Sequence, residues 1–237
     1  MSSEGQQVRR GRTVVHVVLW GVLGSVAVLM LALITSFRPY NTPSGSMKPT
    51  LLVGDYLYVW KFAYGFTPTV RPFFTGEPQR GDVVVFLLPR DNSTVYIKRL
   101  IGLPGDRIQM IKGVLNINGI PMKQERVDDF VETDTDGHSV RVKQWRETLP
   151  NGVSYNTLDF LENGVYDNTD VYLVPPGNYF MLGDNRDNSV DSRILDQVGY
   201  VPLGNIVGRA EVIFFSIDQE ARGGQALRPE RFGMVVR

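Results

Sequence analysis

The stretch Val114-Leu115-Asn116-Ile117-Asn118-Gly119 decides the fold class of this chain. An Asn-Gly pair flanked by β-branched residues is a hairpin signal, because both positions of the tight turn need positive φ. Working outward, strand-like runs recur at Leu57-Tyr58-Val59-Trp60, Asp82-Val83-Val84-Val85-Phe86, Thr94-Val95-Tyr96-Ile97 and Tyr179-Phe180-Met181-Leu182. A further apolar run extends from Ile206 to Phe215. Turn signals separate them, such as Arg80-Gly81-Asp82 and Pro104-Gly105-Asp106. No long amphipathic helical pattern follows residue 40, and 24 Gly with 14 Pro favour many turns between short strands. The expectation is a mainly β, antiparallel fold. Between Arg107 and Pro176 the chain is more polar, and it reads as a smaller β-rich insertion between two firmly patterned blocks. Beyond Ser216 the tail is only weakly patterned.

Composition narrows the function classes. With 237 residues and 43% hydrophobic content, the chain can bury a sizeable core. The 25 basic and 25 acidic residues balance, so no nucleic-acid footprint is present. There is no cysteine, which excludes disulfides, thiolate catalysis and Cys-based zinc sites.

Residues 13–37 carry no formal charge apart from a protonatable His16. As a helix at about 1.5 Å per residue they would span roughly 37 Å, enough to cross a hydrocarbon core of about 30 Å. The apolar run is too long for a cleavable signal peptide, and Ile34-Thr35-Ser36-Phe37-Arg38 offers no small-x-small cleavage site. An uncleaved anchor is therefore expected. Arg9, Arg10 and Arg12 precede it and Arg38 alone immediately follows it, so the positive-inside rule keeps the N-terminal tail cytoplasmic and exports the rest.

Just past that segment, Pro43-Ser44-Gly45-Ser46-Met47-Lys48-Pro49-Thr50 sets a small hydroxyl, Ser46, on a turn pinned by Gly and Pro. A serine nucleophile needs a base, since its hydroxyl is barely ionised at neutral pH. Histidine is the usual choice, but His16 lies in the anchor and His138 in a polar, loop-like stretch. A carboxylate or a lysine remains. Period-2 alternation places Tyr96, Lys98 and Leu100 on one strand face, with Ile97, Arg99 and Ile101 on the other. A lysine sharing a face with Tyr and Leu would be partly desolvated, and moving its pKa to about 7.5 requires roughly 4 kcal/mol against the ammonium. The competing reading, commoner for a lone strand lysine, is a surface residue with its stem laid on apolar neighbours. The block Gly183-Asp184-Asn185-Arg186-Asp187-Asn188-Ser189-Val190-Asp191-Ser192-Arg193 is dense in turn-forming side chains. It does not satisfy a calcium-loop pattern, so neither a metal nor another cofactor is expected.

Taken together, these blocks resemble bacterial type I signal peptidases, the membrane-bound Ser-Lys leader peptidases. The resemblance rests on Pro43–Leu51, on Arg80–Phe86, on Tyr96-Ile97-Lys98-Arg99 with Gly102–Asp106, and on Gly183–Arg193, in that order along the chain. It implies Ser46 as nucleophile, Lys98 as general base, Ser44 as an oxyanion donor, and Ser189 as the group orienting the Lys98 amine. Asp191 and Arg193 would be a structural pair. Tyr40, Thr42, Pro43, Leu51 and Ile97 match positions lining the small-residue substrate pockets, with Thr42 more polar than the aliphatic residue often found there. The implied organisation is a cytoplasmic tail (1–12), an anchor (13–37), a catalytic β core (38–106 and 178–217), an inserted subdomain (107–177) and a C-terminal tail (218–237). Some relatives have two anchors where this chain has one. The implied substrates are signal peptides of exported preproteins, bound extended with small side chains at −1 and −3. Implied partners are membrane lipid and the translocation machinery, at the bacterial inner membrane with the catalytic domain on its outer side. Two alternatives stand beside this reading: another Ser-Lys protease, of self-cleaving or plasmid-transfer type, and a non-catalytic membrane-anchored β domain.

Overall fold

The structure, a computed structural model, describes residues 16, 19–27, 37–64, 76–133, 138–218 and 225–237. The chain divides into two compact units, Met1–Phe37 and Arg38–Arg237. In the first, residue 16 and residues 19–27 are helical. The rest of the expected anchor, 13–37, lies outside the described residues except for Phe37, and no helix among the described residues is long and apolar enough to cross a membrane.

The second unit is built from strands. In chain order they begin with β1 (Phe37–Asn41), β2 (Asp55–Trp60), β3 (Val83–Leu87) and β4 (Val95–Gly102). The polar middle of the chain supplies β5 (Arg107–Ile111), β6 (Val114–Ile117), β7 (Ile120–Pro121), β8 (Lys123–Thr133), β9 (Ser139–Thr148), β10 (Ser154–Asp159) and β11 (Tyr172–Leu173). Last come β12 (Asn178–Leu182), β13 (Val201–Pro202), β14 (Ile206–Asp218), β15 (Ala226–Leu227) and β16 (Met234–Val235). The main sheet has nine strands, ordered β1-β2-β14-β3-β4-β12-β13, with β15 and β16 added to β14. Its β2–β14, β14–β3, β3–β4 and β4–β12 pairings are all antiparallel. The mainly β, antiparallel expectation holds. β14 runs for 13 residues and shifts register against β2 and β3, as bulges allow, so one bent strand serves several partners.

The apolar run of β3 explains why the sheet is covered on both faces. Val84 and Phe86 join Leu100 and Met181 in one cluster, while Val83 and Val85 join Met47, Leu57 and Ile97 in another. β4 repeats this division: Tyr96 and Leu100 face the first cluster and Ile97 the second, as the alternation predicts. Further along the same strand, Ile101 enters a third cluster with Phe180 and Leu182.

That third cluster also holds Ile108, Met110, Leu115, Ile117, Met122, Leu149 and Tyr155, so residues 107–177 share apolar core with the main sheet. They carry two smaller sheets, β11-β5-β6-β7 and β10-β9-β8. The Asn118-Gly119 turn joins β6 to β7 with φ of 56° and 79°, the conformation its sequence signals. β8 and β9 are largely polar and exposed along much of their length, which is why apolar alternation gave no sign of them.

The weakly patterned C-terminal tail is fastened by charge. Arg231 Nε and Nη2 donate to the fully buried Asp55 carboxylate at 2.9 and 2.5 Å, and Ser216 Oγ adds a bond of 2.6 Å. Breaking a buried pair leaves an uncompensated charge behind. Arg231→Ala is expected to cost about 3–5 kcal/mol in a denaturant titration, whereas a loss under about 1 kcal/mol would mean that Asp55 is satisfied without it.

Candidate active site

Three segments converge on Ser46. After β1, Thr42 donates its N–H to the Asp55 carbonyl (2.8 Å) and accepts from Gly54 N–H (3.0 Å), which fixes the approach to the turn. A 3-10 turn, Gly45–Met47, then buries Met47 in the core and leaves Ser46 9% exposed. From the loop after β12, Asn185 donates its backbone N–H to the Ser46 carbonyl (3.1 Å) and its side-chain amide to the Gly45 carbonyl (3.0 Å). The third segment is β4, whose Lys98 Nζ lies 2.6 Å from Ser46 Oγ and donates to it.

Lys98 is not the surface lysine of the competing reading: it is 3% exposed, because β4 is covered on both faces. Its Nζ also donates to the Ile97 carbonyl (3.0 Å) and sits 5.3 Å from the centre of the Tyr96 ring. Burial lowers its pKa from the ordinary 10.5 to about 8, against an upward pull from Asp191 and Asp184 and with a small downward push from Arg193. Each of those carboxylates is matched by its own arginine. Arg99 Nε and Nη2 donate to the two Asp184 oxygens at 2.8 and 2.7 Å. Arg193 Nε and Nη2 do the same to Asp191 at 2.8 and 2.9 Å. Burial opposes charge on Asp191, but Arg193, with the Gly183 N–H and the Ser189 hydroxyl, outweighs it and holds the carboxyl below its usual range. Left unpaired, either carboxylate would keep the amine protonated more strongly.

A further buried pair was not foreseen from sequence. Glu147, at the end of β9, receives Arg186 through Nη1 (3.1 Å) and Nη2 (2.7 Å), and Tyr155 Oη donates to it at 2.5 Å. The parallel bridge Leu158↔Asn185 and the bond from Leu158 N–H to the Asp184 carbonyl (2.9 Å) tie β10 to the same loop. Residues 107–177 thus brace the loop that holds the Ser46 turn. Glu147 lies between the polar residues Arg146 and Thr148, and nothing local marks it as fully buried.

These groups border a cavity of about 690 Å³. Tyr40, Thr42, Pro43, Ser44, Ser46, Ile97, Lys98 and Ser189 all line it, as do Tyr166 and Asp187, which the sequence reading did not single out. Ser44 Oγ is 3.3 Å from Ser46 Oγ. Ser189 is 8% exposed; its hydroxyl helps to hold the Asp191 carboxyl down and is not hydrogen-bonded to the Lys98 amine. Leu51 departs from the pocket expectation: it does not line the cavity, and packs beneath it with Met47 and Leu57. The reason is that its N–H closes back onto the Met47 carbonyl (2.9 Å), which turns the side chain into the core. His138 is exposed and does not line this cavity. Among the described residues no cluster of three or more His, Asp or Glu is arranged to hold a metal.

Gly183 allows the loop to close on the turn. A Cβ there would stand 2.2 Å from Ser189 Oγ and 2.6 Å from the Ser46 carbonyl oxygen. Gly183→Ala must push the loop off the turn, and a displacement near 1 Å at a reacting group costs about 10²-fold in rate. A loss of that order in kcat for a folded protein is expected, and full activity would show that the turn and loop move independently.

The family model described as "Signal peptidase, peptidase S26" matches residues 14–215. Signal peptidase I of Rickettsia conorii is 40% identical over 215 residues, covering 83% of this chain and 79% of the relative. That of Rickettsia akari is 41% identical over 214 residues, covering 83% and 78%. The crystal structure of a signal peptidase I from Enterococcus faecalis V583 is 28% identical, with a TM-score of 0.32, covering 56% of this chain and 96% of that one. The family match extends from before the Ser46 turn to beyond the 183–193 loop, and the chain belongs to the signal peptidase family, peptidase S26.

Proposed function

We propose that Ser46 and Lys98 form the catalytic dyad with which this serine protease removes signal peptides. The supporting observation is the buried 2.6 Å contact between Lys98 Nζ and Ser46 Oγ, at an amine whose pKa burial has lowered to about 8. The neutral amine takes the Ser46 proton as Oγ attacks the scissile carbonyl carbon. The oxyanion that develops accepts hydrogen bonds from Ser44 Oγ–H and the Ser46 backbone N–H. As the tetrahedral species collapses, the C–N bond breaks and the Lys98 ammonium gives its proton to the leaving amine, the new N-terminus of the mature protein. Lys98, neutral again, deprotonates a water that hydrolyses the ester on Ser46. The hydroxyl of Ser189, on the wall of the same cavity, orients the amine as it sheds its contact with Oγ.

Substrate enters as an added strand. β12 pairs with β4 only from Arg99 onward, while β3 pairs with β4 from Val95, so among the described residues one edge of 95–98 has no strand paired to it. That edge and the Tyr40–Pro43 segment both line the cavity, which suits an extended peptide with small side chains at −1 and −3. Residues 13–37 hold the enzyme in the inner membrane as a single anchor, with 1–12 cytoplasmic and the catalytic core (38–106 and 178–217), its insertion (107–177) and tail (218–237) on the outer side. The charge-free run and its flanking arginines support that topology. Membrane lipid and the translocation machinery are then its neighbours.

The test is cleavage of a preprotein by the detergent-solubilised enzyme, with Ser46→Ala as control. Lys98→Arg should be inactive, because a guanidinium does not deprotonate at working pH. For the native enzyme kcat/KM should rise about tenfold per pH unit and level off near pH 8, since only the unprotonated amine is a base and its pKa is lowered to about 8. An active Lys98→Arg, or a profile flat from about pH 6 to 10, would contradict the dyad.

A further inference from the structure

Lys48 lies two residues beyond Ser46 and takes no part in the chemistry above, yet only 13% of its side chain is exposed. Its backbone N–H closes the turn onto the Gly45 carbonyl (3.1 Å), which also accepts from the Asn185 side-chain amide (3.0 Å). The stem then doubles back along the same residue: a Cβ on Gly45 would stand 3.1 Å from Lys48 Cε and 3.3 Å from Cδ. At the end of the stem, Nζ donates to Glu132 Oε1 and forms an ion pair with it. Glu132 belongs to β8 of the insertion, where it faces Val140 of β9, and is 84 residues from Lys48 in sequence. A lysine on a turn without such a partner would sample many rotamers, because its long stem is flexible. β8 thus reaches the nucleophile turn through a charge that fixes one side chain against Gly45.

We propose that Glu132 is a positioning residue for catalysis, which by pairing with Lys48 straps the lysine stem over Gly45 and holds the Gly45–Ser46 peptide in place. The proposal rests on the dyad reading above, in which the N–H of that peptide donates to the developing oxyanion. A peptide is planar, so the direction of its N–H is set by whatever holds its carbonyl and flanking Cα. Asn185 and the Lys48 N–H hold the carbonyl, and the Lys48 stem lies against the Gly45 Cα. Gly45 has the freest backbone of any residue type and resists no rotation itself. Partly exposed ion pairs contribute little to stability, so the consequence of this one lies in the rate instead of in folding.

The experiment measures kcat and KM separately for preprotein cleavage by the full-length, detergent-solubilised enzyme and its Glu132→Ala, Lys48→Met and doubly substituted variants. Losing a whole oxyanion donor costs about 10²–10³ in kcat, so a donor that is only less firmly aimed should cost about three- to thirtyfold. That loss is expected in kcat of each single variant, with KM changed by less than about twofold, because the donor acts on charge that develops in the transition state. The double variant should be no slower than either single one, since both substitutions remove the same strap. Lys48→Arg, which keeps a long stem and a charge for Glu132, should retain most of the rate. Native kcat in Glu132→Ala, a loss confined to KM, or losses that multiply in the double variant would overturn the strap and leave the dyad reading intact. Cleavage by Ser46→Ala at the native rate would overturn the dyad reading and the strap with it. Should Glu132→Ala not fold, Glu132→Gln keeps the size and removes the charge, and native kcat in that variant overturns the proposal equally.

Discussion

Taking the Lys98 amine out of water is the constraint on which the rest of this structure depends. Lowering its pKa from 10.5 to about 8 corresponds to about 3 kcal/mol of differential destabilisation of the ammonium. Burial alone is not sufficient, since Asp184 and Asp191 both act to keep the amine charged. Arg99 and Arg193 neutralise them through paired hydrogen bonds, so the carboxylates hold the loop without saturating the lysine with a proton. The bidentate geometry of arginine matters here, because a lysine in either place would offer a point charge and a looser clamp.

The fold supplies that environment in layers. β4 touches all three apolar clusters, which is why a lysine at its centre is dry. The 183–193 loop comes close because Gly183 has no Cβ, and it grips the Ser46 turn through Asn185. Behind the loop, Glu147 and Tyr155 fix Arg186, so strands distant in sequence rigidify the loop that grips the Ser46 turn. Residues 107–177 are in this sense part of the machinery that positions the turn, joined to the main sheet through the cluster around Phe180.

Legibility in the sequence followed burial. The Val83–Phe86 run and the Asn118-Gly119 turn were readable because period and turn chemistry are local properties. The face shared by Tyr96, Lys98 and Leu100 was also local, and its desolvation could be anticipated, but its depth could not: that depends on β3, β12 and the Ser46 turn arriving from elsewhere. Polar strands such as β8 and β9 carry no apolar alternation, so they escaped notice although they are the longest pair of the insertion. Glu147 was invisible for a related reason, since its burial is decided by Arg186 and Tyr155 across the fold. Leu51, matched to a pocket by resemblance, is turned inward by one backbone bond to Met47 that spacing does not reveal.

Whether burial frees the Lys98 amine to act as a base near neutrality is tested most directly by titrating that side chain itself. The ¹³Cε resonance of Lys98, assigned by comparison with Lys98→Ala in the Ser46→Ala background, reports its protonation without any need for turnover. A single transition near pH 8 is expected. A midpoint near the ordinary 10.5 would mean that the ammonium persists in the closed site, and would contradict it.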